Sequence, residues 1–91
     1  NIALLDEDKL TYPLTLRRWQ DGDSFIPFGM IGRKKVSDYL TDRKVSLLDK
    51  QAQLVAVDSA TDDIIWVVGR EIDHRYRITP TTNRILRLIC S

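Results

Sequence analysis

The sequence predicts an α+β domain, mostly antiparallel β-structure with one or two short helices. Three observations lead there: an alternating run near the N terminus, a capped amphipathic stretch in the middle, and four strand-like runs separated by short turns in the C-terminal half. A chain of 91 residues buries enough surface for one core, so residues 1–91 are read as one domain.

The run "KLTYPLTLR" sets Leu10, Tyr12, Leu14 and Leu16 against Thr11, Pro13, Thr15 and Arg17, the period of a half-buried strand, with Pro13 marking a sheet edge. Ile2 to Leu5 reads as its hairpin partner across a turn at Asp6 to Lys9. Trp19 and Phe25, read as core anchors, flank a tight turn at Asp21 and Gly22. Ser37 as N-cap, Asp38 in the first turn, and Arg43 and Lys44 in the last predict a helix over 38–44. Its buried side would carry Val36, Tyr39, Leu40 and the stem of Arg43. "SLLDKQAQ" suggests a second short helix. "QLVAV", "DIIWVVG", "RYRIT" and "RILRLI" then read as an antiparallel meander, turning at 59–63, Gly69 and 80–83.

Composition excludes several classes of function. No apolar run approaches the roughly 20 residues of a membrane helix. The chain starts at Asn1 without a signal-peptide pattern and reads as a piece excised from a longer protein. Cys90 is the only cysteine, so no internal disulfide forms, and a reducing, cytoplasmic setting is expected. His74 is the only histidine, which leaves metal sites and histidine-based triads without their usual parts. Asp21 and Asp23 lack the other ligands of a calcium loop and read as turn residues. There is no nucleotide-binding glycine fingerprint.

Charge is informative through its distribution. The net value is only +1, yet residues 33–91 carry eleven cations against eight anions, whereas residues 1–32 carry three against five. Gly29 and Gly32 form a G-x-x-G spacing that lets backbone approach a phosphate, and Arg33, Lys34 and Lys35 follow at once. A simple turn with a solvated charge run explains the same residues. Arg43, Lys44 and Lys50 continue the cationic character, and Arg75 and Arg77 would share one face of the "RYRIT" strand. Together these positions could track a phosphate backbone. Trp66, in "IIWVV", reads as a core anchor rather than a base-stacking platform.

The ordered pattern W-Q-x-G-D, P-x-G-M-x-G-x-K-K-x-S-D, D-R-K and G-R-x-I-D-x-R runs from Trp19 to Arg75, inside a likeness that extends from about Leu14 to Leu88. In this pattern the chain resembles the C-terminal domain of bacterial tRNA(Ile)-lysidine synthetase. The resemblance implies a small layered, barrel-like α+β fold that recurs in a phenylalanyl-tRNA synthetase β chain. It also implies a domain that holds tRNA(Ile), at its acceptor stem, while a catalytic domain of the same protein works. That domain would use ATP, with magnesium, to activate an anticodon cytidine that lysine then attacks. The S-G-G-x-D-S type of ATP signature is absent here, so the chain itself is expected to be non-catalytic and to need no cofactor. Two rivals stand beside this reading: an interaction module that packs on the catalytic domain without RNA affinity, and an independent small enzyme.

Overall fold

The computed structural model describes residues 1–90. Its centre is a four-stranded antiparallel sheet in the order β2 (Leu14–Arg18), β5 (Leu54–Asp58), β6 (Asp63–Val67) and β7 (Glu71–Ile72). Val55 and Val57 of β5 point to one face of this sheet and Ala56 to the other, which splits the core in two. On the first face lie α1 (Val36–Asp42) and the short pair β3 (Ser24–Phe25) and β4 (Lys34–Lys35), burying Phe25, Val36, Tyr39 and Leu40. On the second lies the pair β1 (Ile2–Asp6) and β8 (Ile85–Ile89), covering Ile65, Trp66 and Tyr76 with Ala3 and Leu5. The result is the layered α+β arrangement expected. Among the described residues no helix is long and apolar enough to cross a membrane.

A β-bulge lets β6 serve both layers. Ala56 pairs with Trp66 but Val57 pairs with Ile64, so Ile65 is an extra residue in the ladder. Ile65 and Trp66 therefore both turn toward β1 and β8, while Ile64 and Val67 face α1. Trp66 is 4% exposed, a core anchor as expected, and Trp19 is half-buried against the helix layer. The Trp19 indole N–H donates to the Lys50 carbonyl at 2.6 Å, fixing α2 (Leu47–Ala52) to the start of the sheet.

Several expectations need correction. The N-terminal hairpin does not form: β1 pairs with β8, and β2 pairs with β5 as an edge strand. The reason lies at Thr11, whose N–H and hydroxyl both bond the fully buried Asp58 carboxylate, at 2.7 and 3.0 Å, instead of a neighbouring strand. The alternation that suggested one buried side also fails, since Leu10 is buried but Leu16 is 55% exposed.

The helix runs from Val36 to Asp42, two residues earlier than the cap pattern suggests, and Lys35 occupies the cap position without a side-chain bond. The Val36 N–H donates to the Asp23 carbonyl at 2.9 Å, so the β3–β4 pairing runs directly into the first turn of the helix. Arg43 and Lys44 follow the helix. Lys44 adopts φ +55° and closes a Schellman turn, with Val45 N–H on the Leu40 carbonyl at 3.1 Å and Lys44 N–H on the Thr41 carbonyl at 2.9 Å. Val36, Tyr39 and Leu40 are buried as expected, whereas Arg43 is exposed, and α2 starts at its Ser46 cap.

"RYRIT" is not a strand. The Asp73 carboxylate caps a 3-10 turn over His74–Tyr76 by accepting the Arg75 N–H at 2.8 Å. The meander thus ends at β7, and β8 crosses to the other layer.

Candidate nucleic-acid interface

The glycine loop begins on a rigid foot. Asp73, 0% exposed, accepts the Ile26 N–H at 2.9 Å, and the His74 N–H donates to the Ile26 carbonyl at 2.7 Å. His74 Nδ1 accepts the Gly29 N–H at 3.0 Å, and the Met30 N–H closes a turn on the Pro27 carbonyl, also at 3.0 Å. Gly29 sits at φ +85°, which this turn requires and glycine adopts without strain. Gly32 has no such φ, and a Cβ there would meet nothing within 4 Å. Among the described residues no contact accounts for glycine at 32.

From Arg33 the chain returns to the helix layer. Lys34 forms an ion pair with Asp42, and the Lys50 ammonium donates to Thr41 Oγ1 at 2.8 Å. These contacts gather Lys34, the end of α1 with Arg43 and Lys44, and Lys50 of α2 onto one side of the molecule. Arg33 bonds Ser24 Oγ at 3.3 Å. Lys35 and Lys44 are exposed and form no ion pair among the described residues.

The eight candidate cations therefore differ in what they can offer a phosphate. Lys34 already holds Asp42. Arg43 pairs with Glu71 at 3.2 Å and lies 4.2 Å over the Tyr39 ring. Arg75 is engaged most completely: it forks onto Asp73 at 3.0 and 2.9 Å and reaches Asp63 at 3.3 Å. The Asp73 carboxylate holds the Arg75 guanidinium even above its ordinary high pKa. Arg77 spends one nitrogen on the His74 carbonyl at 2.8 Å. With no strand over 74–77, the shared arginine face is absent, and Arg75 is a structural cation held between the Asp73 and Asp63 carboxylates. Among the described residues Arg33, Lys35, Lys44, Lys50 and Arg77 remain without a carboxylate partner.

Two features escaped the sequence reading. Asp73, organiser of the loop foot, is a single acid in a charged stretch; its signal was the Asx-cap position before His74. The loop tip also exposes Phe28, Met30 and Ile31, at 54%, 47% and 97%. Their signal was three large apolar residues between Pro27 and the cations without a strand or helix period.

Sequence comparison bears on what such a surface belongs to. Over 85 residues, 93% of the chain, it is 53% identical to a tRNA(Ile)-lysidine synthase of Parabacteroides distasonis, and over 84 residues 49% identical to that of Bacteroides thetaiotaomicron. The crystal structure of the TILS C-terminal domain superposes with a TM-score of 0.79 at 20% identity, covering 94% of this chain and 65% of that one. The chain belongs with the tRNA(Ile)-lysidine synthases, as a C-terminal domain.

It spans 19% of the length of those two lysidine synthases. The same fold occurs in an N-terminal fragment of the phenylalanyl-tRNA synthetase β-subunit from Pyrococcus horikoshii, with a TM-score of 0.80 at 19% identity, covering 94% of this chain and 26% of that one. No family model matches the chain. The expected kinship of the lysidine synthase domain with the phenylalanyl-tRNA synthetase β chain thus holds at the level of fold.

Proposed function

We propose that this domain binds tRNA(Ile) through its acceptor stem and contributes no chemistry of its own. Within a longer lysidine synthase it would hold the tRNA while the catalytic domain, supplied with ATP and magnesium, ligates lysine to the anticodon cytidine. The observation that carries this reading is the grouping of Lys34, Lys44 and Lys50 around the C-terminal end of α1, where Lys44 and Lys50 have no carboxylate partner among the described residues. Charges set this way meet phosphates, which position a duplex without reading its sequence. A-form RNA offers phosphates and 2′-hydroxyls in its accessible groove, which suits such equipment. The rival reading, docking on the catalytic domain without RNA affinity, has an observation of its own: Ile2, Leu4, Ile85 and Ile89 are all about half-exposed or more on the outer face of β1 and β8. Titration of the domain with isoleucine tRNA and with an unrelated tRNA, over a salt series, separates the two. Affinity that falls with salt supports the RNA reading. No affinity at any salt supports docking.

A further inference from the structure

Three large apolar side chains within four residues are held out on a turn that the fold takes care to make rigid. Ile31, 97% exposed, touches almost nothing, and Phe28 and Met30 are about half-exposed beside it. The turn beneath them is tied by Asp73, His74 and Pro27. The Phe28 ring tilts against His74 at 6.0 Å and forms one wall of a cleft of about 300 Å³ shared with Arg70 and Ile72. Solvated turns carry polar residues; an apolar tip of this size marks a contact surface. Arg33 and Lys35 follow within two to five residues of the tip, so whatever meets it also meets positive charge.

We propose that Phe28, Met30 and Ile31 form a wedge that rests on exposed nucleobase faces, with Arg33 and Lys35 on the adjoining phosphates. This inference rests on the RNA reading above and adds what the cations cannot supply, a preference for a particular place on the RNA. In an A-form duplex the base faces are stacked on one another and hidden. An apolar side chain reaches them only at a helix end or at an unpaired nucleotide, where stacking is available to any base. The adjoining cations favour RNA over an apolar protein partner, for which three consecutive positive charges would have to be desolvated. The tip therefore seats the domain at a terminus, and the cations secure it there.

The test compares two RNA probes: a short duplex with open ends, and the same duplex closed at both ends by non-nucleotide linkers. The wild-type chain is expected to bind the open duplex more tightly. Ile31→Ser combined with Met30→Ser removes no internal contact of consequence, so thermal unfolding should stay in place. That variant should lose about fivefold or more in affinity for the open duplex, bind the closed one as before, and keep its salt slope. Phe28→Ser should act in the same direction. Lys35→Glu should weaken both probes and flatten the slope. If the tip variants bind the open duplex like the wild type while Lys35→Glu weakens it, the wedge is wrong and the RNA reading stands. Equal losses on both probes also overturn the wedge, because contact would then lie along the backbone. If the wild type binds neither probe, the RNA reading falls and the wedge with it.

Discussion

The carboxylate of Asp73, fully buried, grips the guanidinium of Arg75 with two hydrogen bonds, at 3.0 and 2.9 Å, while a third bond from Ile26 N–H ties the glycine loop to the same group. An arginine two residues from an acid on a 3-10 turn is thus part of the loop's foundation. Removing one partner of such a pair strands the other. Arg75→Ala should cost toward the lower end of about 3–5 kcal/mol, since Arg75 is itself partly exposed. Urea unfolding would measure this. Below the unfolding transition the affinity for tRNA should change little, and a large loss there would return Arg75 to the binding surface.

Lys44 occupies the left-handed closing position of the α1 Schellman turn, where glycine is the usual residue. A side chain there costs about 1 kcal/mol in local strain. Lys44→Gly is therefore expected to stabilise the fold by up to about 1 kcal/mol while weakening tRNA binding. A rise in unfolding midpoint with unchanged affinity would mean that Lys44 does not touch RNA.

Trp66 lies at the bulge, against Ala3, Leu5 and Tyr76. Trp66→Ala should cost about 3–5 kcal/mol, as large aromatic truncations in cores do. Thermal unfolding that barely moved would show that the two sheets meet elsewhere.

Burial, reinforced by the hydrogen bond to Asp63 at 2.7 Å, pushes the Tyr76 phenol up to about 12, and burial also raises Tyr39. Both raised values favour the neutral phenol in the folded state. Stability from this source is complete below pH 10, the ordinary tyrosine value, and is lost as the pH rises toward 12. Unfolding free energy should therefore decline across that window, more gently in Tyr76→Phe. Absorbance titration should show Tyr76 ionising last among the phenols or together with unfolding. A Tyr76 that titrates near 10 in the folded chain would contradict the burial.

The helix and its buried face were legible because Val36, Tyr39 and Leu40 repeat at a spacing only a helix uses. The strands β5 and β6 were legible from their β-branched runs. Strand partners were not. Alternation in Ile2 to Leu5 says which side is buried and nothing about which strand lies alongside, so pairing with β8, at the far end of the chain, left no local trace. Part of the candidate site was legible as charge: Lys34, Lys44 and Lys50 come together at the end of α1. Which cations were already committed to Asp42, Glu71 or Asp73 depended on contacts distant in sequence, and the two arginines of "RYRIT" were misplaced for that reason. Two arginines spaced for a strand also fit a capped turn, and one carboxylate at 73 decided between them.

The proposal that a defined lysine surface holds the tRNA is tested most directly by one comparison of charge reversals. Lys35→Glu with Lys50→Glu alters the helix layer, and Arg87→Glu with Lys9→Glu makes the same change in net charge on the opposite layer, around β8 and the 3-10 turn over Glu7–Lys9. Lys9, Lys35 and Arg87 are exposed and Lys50 is half-buried, and surface charges change stability by no more than about 0.5 kcal/mol each, so both variants should fold. Binding to isoleucine tRNA over a salt series should weaken sharply for the first variant. Its logarithmic salt slope should fall by somewhat under about one unit for each phosphate left unneutralised, while the second variant keeps the wild-type slope. Equal weakening by the two variants would mean that only net charge matters, and would contradict a binding surface on the helix layer.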